Sequence, residues 1–225
     1  MKILLVEDEI TLLKSASEYL RKEGYICEEA VNFSEAENKL AIFQYDLVVL
    51  DITLPDGNGL ELLKMLKKAH PETGALIVSA KNALDDKLQG LDLGADDYIT
   101  KPFFLAELNS RVNAIIRRRF FQGNNLITFN EIEINTAAMQ AKVKGTVLDL
   151  TKKEYALLLY FVTNKNRVIS KEAIAEHIWG DHINSADNFD FIYPHIKNLR
   201  KKIDQEGGTD YLQTVYGVGY KFSNL

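Results

Sequence analysis

The chain of 225 residues has a single cysteine, Cys27, so no disulfide can close within it, and a reducing compartment is the expectation. It has no apolar run approaching the length of a membrane span. Its first apolar stretch, Ile3 to Val6, runs straight into Glu7-Asp8-Glu9, the wrong sequel for a signal peptide. A cytoplasmic protein without a membrane partner is therefore expected. Internal repeats and low-complexity tracts are also absent. A surplus of positive charge is missing too, and a formal charge of −5 speaks against nucleic acid until it is divided. Residues 1–123 hold 15 Lys+Arg against 20 Asp+Glu, whereas residues 124–225 hold 12 of each. The acidity belongs to the first half. In the second, Lys197, Arg200, Lys201 and Lys202 fall within the eight residues from His195 to Lys202, which include no acid. Local clustering of this kind governs contact with phosphates more than net charge does.

What is present suggests two domains, the natural prior for this length. Short apolar runs at 2–6, 26–30, 46–50, 75–79 and 97–100 alternate with amphipathic stretches at 12–22, 34–42, 60–68, 84–91 and 105–118. Such alternation predicts an α/β domain with a parallel sheet and right-handed crossovers. Ser34-Glu35-Ala36-Glu37 reads as a capping box that opens one of the helices. The basic run Arg117-Arg118-Arg119 suits a helix C-terminus and leads into polar turn residues. The first domain is accordingly placed at 1–119, a linker at 120–125 and a second domain at 126–225. In the second domain, strand candidates at 126–129, 132–135, 139–143 and 147–149 precede a capping box, Thr151 to Glu154. A helix from Ser170 to Trp179, a longer one over 186–204 and a hairpin of 211–215 with 219–222, turned at Gly217, complete an α+β module.

The chemistry sits at strand ends. Asp51 closes the run Leu47 to Leu50, the pair Glu7-Asp8 follows Ile3 to Val6, Ser79 follows Ala75 to Val78, and Lys101 follows Tyr98 to Thr100. In an open parallel sheet these side chains meet in the crevice at the carboxyl edge, where such folds bind ligands. Three carboxylates there repel one another unless a cation lies among them. Mg²⁺ takes oxygen ligands and is commonly shared with a phosphate, so Glu7, Asp8 and Asp51 are its candidate ligands. An aspartate balanced by a metal and by Lys101 can attack phosphorus, with the Ser79 hydroxyl as a hydrogen-bond donor to the transferred group.

Together these residues resemble the receiver domain of two-component response regulators. The likeness rests on Glu7-Asp8, on Asp51-Ile52-Thr53-Leu54-Pro55-Asp56-Gly57-Asn58-Gly59, on Ser79-Ala80 and on Gly94-Ala95-Asp96-Asp97-Tyr98-Ile99-Thr100-Lys101-Pro102-Phe103. It implies a CheY-like, doubly wound, five-stranded parallel fold. Asp51 would accept phosphoryl from a histidine kinase, while Glu7, Asp8, Asp51 and the Thr53 carbonyl would hold Mg²⁺. Lys101 and Ser79 would sense the phosphoryl group, Tyr98 would be the aromatic switch, and Lys101-Pro102 would be cis. The branch with winged-helix effectors dimerises through its fourth helix, fifth strand and fifth helix. Carried over, Lys87 with Glu107, Asp97 with Arg111 and Asp96 with Arg118 would pair around Leu88 and Leu91. Asn109 replaces a usually apolar residue and would weaken that face.

Ile192, Ile196, Leu199 and Ile203 recur at helical spacing, leaving Lys197, Asn198 and Lys201 on the opposite face. Lysines suit phosphates, and an asparagine can pair bidentately with adenine in the major groove. Leu150 to Leu158, Val168 to Lys171, Ile178-Trp179-Gly180, His195 to Ile203 and Thr214 to Phe222 resemble the winged helix-turn-helix domain of the OmpR/PhoB type. That implies a regulator binding paired half-sites in double-stranded DNA, with His195, Lys197, Asn198, Arg200, Lys201 and Lys221 as candidate contacts. The loop from Gly180 to Asn188 lies where relatives touch RNA polymerase. Three departures stand out: Pro194 inside the recognition helix, with a kink or a late helix start expected; Tyr216 where the wing often has arginine; and Asp190 at an often basic position. The expected function is a phosphorylation-controlled transcriptional regulator and homodimer rather than a metabolic enzyme. The alternatives are a regulator that binds DNA without phosphorylation and a Mg²⁺-dependent aspartyl phosphatase. The latter usually needs a second aspartate where this chain has Thr53.

Overall fold

The computed structural model describes residues 1–80, 84–181 and 188–224, leaving aside the side chains of 80 and 84–87. Its contacts divide the chain into two compact units, Met1–Gly123 and Asn124–Leu225.

The first unit runs β1 (Lys2–Val6), α1 (Ile10–Lys22), β2 (Ile26–Ala30), α2 (Phe33–Ile42), β3 (Leu47–Asp51), β4 (Thr53–Leu54), β5 (Gly57–Asn58), α3 (Gly59–Ala69), β6 (Gly74–Ala80), α4 (Leu84–Asp92), β7 (Asp97–Lys101) and α5 (Leu105–Phe120). Five strands form one parallel sheet in the order β2-β1-β3-β6-β7. β1 and β3 are buried along their whole length, which is why their sequences are continuously apolar rather than alternating. From β1 the chain steps to β2 on one side and then returns to β3 on the other. The direction of winding reverses there, so a crevice opens at the carboxyl ends of β1 and β3.

Helix α2 corrects one expectation. Its cap is Asn32, whose side chain accepts from the Glu35 N–H, so Ser34 lies inside the helix rather than at its start. Asn32 is itself a strong capping residue, and the Glu35 carboxylate reaches back to the Val31 N–H.

The second unit contains β8 (Leu126–Phe129), β9 (Ile132–Asn135), β10 (Gln140–Val143), β11 (Thr146–Val147), α6 (Lys152–Thr163), β12 (Val168–Ser170), α7 (Lys171–Trp179), α8 (Ile192–Gln205), β13 (Leu212–Val215) and β14 (Gly219–Phe222). β8 to β11 make an antiparallel sheet, and β12 joins the terminal hairpin in the order β12-β14-β13. The Thr151 capping box at α6 forms in both directions, with Glu154 receiving and returning the hydrogen bond. α8 buries Ile192, Ile196, Leu199 and Ile203. It begins at Ile192 rather than at 186, and residues 186–187 lie outside those described. Pro194 is thus its third residue, where a backbone N–H has no partner within the helix, so the proline removes no helical hydrogen bond.

Candidate functional sites

The crevice collects the expected side chains. Glu7 and Asp51 are buried at 6% and 4% exposure, while Asp8 stays exposed. One carboxylate oxygen from each of Glu7, Asp8 and Asp51 lies within 4.8 Å of the others. From the end of β7 the Lys101 ammonium donates to Glu7 Oε1 and to Asp51 Oδ2, both at 2.6 Å. Burial pushes the Glu7 carboxyl above its ordinary range, against the lowering effect of the Lys101 hydrogen bond. Burial alone would lower Lys101, but its bonds to Asp51 and Glu7 outweigh that and hold the ammonium charged. Three carboxylates against one ammonium leave a surplus of negative charge on an all-oxygen donor set, which fits Mg²⁺.

The other residues of this group fall around the same edge. Ser79 is buried near the end of β6, in register with Thr100, and the register neighbour of Asp51 is Val78. The Thr53 N–H donates to Asp51 Oδ1 at 2.9 Å, placing its backbone beside the cluster. Tyr98 is half-buried against the apolar cluster that includes Val6, Leu50 and Ile77. The Lys101-Pro102 peptide is cis. The glycines of the loop serve a steric purpose. Neither Gly57 nor Gly59 has positive φ; a Cβ on Gly59 would sit 2.1 Å from the Asp51 carbonyl oxygen, and one on Gly57 2.6 Å from the Phe33 ring. They provide room rather than conformational freedom.

On α4 and α5, Leu88 and Leu91 are exposed, and Lys87 lies outside the residues whose side chains are described. Arg111 bridges Asp97 and Glu107, each at 2.9 Å. The Asp96 carboxylate is held by Arg119 at 2.6 Å, by Lys67 at 3.4 Å and by the Ala75 N–H at 2.9 Å. Arg118 donates to the Asp96 backbone carbonyl and to the Ala114 carbonyl, each at 3.3 Å. Asn109 donates to Glu23 at 3.0 Å and accepts from Asn113. Two positions from both Glu107 and Arg111, it faces another side of α5, so it does not dilute their surface.

In the second unit, Lys197, Asn198 and Lys201 line the exposed side of α8. Arg200 instead donates to the Leu212 carbonyl and to Thr214 Oγ1, and its guanidinium lies 3.3 Å from Asp210. It ties the helix to β13. Lys202 donates to Glu154 at 2.7 Å and to the Asp149 carbonyl at 2.6 Å, joining α8 to the start of α6. His195 packs edge-on against Trp179, and Lys221 is half-buried in β14. Residues 182–187 of the loop from Gly180 to Asn188 lie outside those described. Asp190 is exposed, and at the hairpin tip Tyr216 is 93% exposed beside Gly217, whose φ is +74°. Tyr193 was not singled out in the sequence. It is exposed one helical turn before Lys197 and accepts from the Lys171 ammonium at 2.7 Å; its spacing of four from Lys197 was the available signal.

A sheet of this order with carboxylates and a lysine at its switch point is a receiver; followed by a unit that packs α6, α7 and α8 with a β-hairpin wing, it makes a two-part transcription regulator. Residues 3–113 match the family described as "Response regulator receiver domain", and residues 145–222 match "Transcriptional regulatory protein, C terminal". The transcriptional regulatory protein CiaR of Streptococcus pneumoniae is 36% identical over 228 residues, covering 100% of this chain and 99% of that protein. The response regulator ArlR of Staphylococcus haemolyticus is 38% identical over 218 residues, covering 97% of each. Among solved structures, a CheY-like receiver domain protein of Methanospirillum hungatei aligns with a TM-score of 0.51 at 31% identity, over 52% of this chain and 94% of that one. The chain belongs to the response regulators of the OmpR/PhoB type, transcription regulators with a receiver and a DNA-binding domain. Among the described residues no helix is long and apolar enough to cross a membrane.

Proposed function

We propose that Asp51 is the phosphoacceptor and that its phosphorylation controls DNA binding by the α8 face. The observation that carries this is the Lys101 bridge: one ammonium joins the buried Asp51 and Glu7 at the end of β3 and just past β1. A carboxylate oxygen of Asp51 attacks phosphorus, a P–O bond forms to give an acyl phosphate, and the donor leaves with the electron pair of the broken bond. The donor is the phosphohistidine of a sensor kinase or a small acyl phosphate. Glu7, Asp8, Asp51 and the Thr53 carbonyl would hold Mg²⁺, which when bound neutralises charge on the transferred group. Lys101 and Ser79 then bind phosphoryl oxygens, and Tyr98 follows Ser79 inward. The phosphorylated state favours a homodimer through α4, β7 and α5, with Leu88, Leu91, Asp96, Asp97, Glu107, Arg111, Arg118 and Lys87 at the interface. On DNA, Lys197 and Lys201 take phosphates and Asn198 reads a base edge, while Arg200 holds the wing. The protein is a phosphoacceptor rather than a turnover enzyme.

The test is intact-protein mass after incubation with acetyl phosphate and Mg²⁺, wild type beside Asp51→Asn. One added phosphoryl group, absent in the variant and without Mg²⁺, is expected. An adduct that persists in Asp51→Asn would move the acceptor elsewhere.

A further inference from the structure

The sheet pairs β1 with β3 up to Val6 and Leu50, but the Asp51–Thr53 segment runs on past that pairing into the β4–β5 ribbon. Asp56 lies in the turn of that ribbon. Its carboxylate accepts from the Phe33 N–H at 2.6 Å, the Ser34 N–H at 3.0 Å and the Ser34 hydroxyl at 2.8 Å, all in the first turn of α2. These bonds hold the Asp56 carboxyl below its ordinary range, the Ser34 N–H contributing most. The Phe33 ring lies so close that a Cβ on Gly57 would fall 2.6 Å from it, and the same ring packs on the core cluster.

A path of bonds runs from Glu7 round to Asp51, and the Lys101 bridge closes it. The Glu7 N–H donates to the Ala30 carbonyl at the end of β2, and α2 starts at Phe33. From there Asp56 leads back through the β4–β5 pair, in the register Thr53 with Asn58, to the base of the loop. At that base the Gly59 N–H donates to the Ile52 carbonyl at 2.8 Å and the Thr53 N–H donates to Asp51. The helix itself gains its Glu35 cap from Asn32, so the remote carboxylate is not that N–H's partner.

We propose that Asp56 is a positioning residue: by clamping the β4–β5 ribbon onto α2 it holds the Asp51–Thr53 ligands in register with Glu7 and Asp8. The inference rests on the metal site proposed above and adds the device that pre-organises it. Pre-organised ligands lose less freedom on binding, so the clamp shows itself in affinity.

The experiment is a Mg²⁺ titration of the full chain, read from the backbone amide shifts of Glu7, Asp8 and Thr53, for wild type, Asp56→Ala, Asp56→Asn, Ser34→Ala and the Ser34→Ala/Asp56→Ala pair. Loss of the clamp should weaken Mg²⁺ binding by about threefold to tenfold in Asp56→Ala, and by a smaller factor in Ser34→Ala. Asp56→Asn, which keeps one acceptor oxygen, should recover part of the loss. The double variant should bind no more weakly than Asp56→Ala, because both changes cut one link. At saturating Mg²⁺, phosphorylation by acetyl phosphate should return to the wild-type rate. Wild-type affinity in the variants, or losses that multiply in the double variant, overturns the clamp alone. A wild-type chain that binds no Mg²⁺ overturns the metal site and the clamp together.

Discussion

Lys101 joins two buried carboxylates that repel one another without a cation, and it was legible in the sequence because its chemistry has few alternatives at a strand end. Removing it leaves Glu7 and Asp51 buried beside Asp8 without their cation. Lys101→Ala should therefore lose about 3 kcal/mol of stability at neutral pH without Mg²⁺, measured by urea unfolding. The deficit should shrink with added Mg²⁺. It should also shrink on acidification, because burial holds the Glu7 carboxyl above its ordinary range and its protonation removes one of the uncompensated charges. A deficit equal with and without Mg²⁺ would mean that the carboxylates do not bind the ion. Other single residues were not legible. Nothing in the sequence says that Asp56 turns to α2, since the contact spans 22 and 23 positions. Cys27 is the opposite case: buried, its thiol is pushed up to about 12, which leaves it unreactive.

At the scale of elements, periodicity located the strands and helices of the first unit to within a few residues, because burial on one or both faces imposes the pattern directly. Starts were harder where two capping residues lie close together, as Asn32 and Ser34 do before α2. The late start of α8 has a similar cause. Its apolar spacing is clear from Ile192 onward, but no capping side chain marks the beginning, and Phe191 in that position makes no side-chain cap bond. Pro194 consequently falls in the first turn. Pro194→Ala should leave helicity unaltered and change stability by less than about 1 kcal/mol, a figure set by the absence of a lost helical bond. Of the two expectations for Pro194, a kink or a late helix start, the start at Ile192 fits the second, and a clear gain in helical circular dichroism would restore the first. β12 and the β4–β5 pair escaped sequence reading because runs of two or three residues carry no period.

For the molecule as a whole, division of the charge was the informative step: an acidic receiver masks a neutral unit with one basic helix face. The tertiary structure then separates residues of the same type. Lys197 and Lys201 are exposed on α8, whereas Arg200 and Lys202 hold β13 and α6 in place. In DNA binding measured over a salt series, Lys197→Ala and Lys201→Ala should each reduce the log–log slope by about 0.9. Arg200→Ala should leave the slope unaltered and lower the melting temperature. A slope that falls for Arg200→Ala as for the lysines would put Arg200 on a phosphate. The sequence by itself determined the family, the class of each domain and the residues of the acidic crevice, because strand-end chemistry and apolar periodicity are local. Only the tertiary structure decided which cations face solvent, which face Asn109 takes and what holds the rim of the crevice. Those depend on contacts between residues far apart in the chain, which no local pattern records.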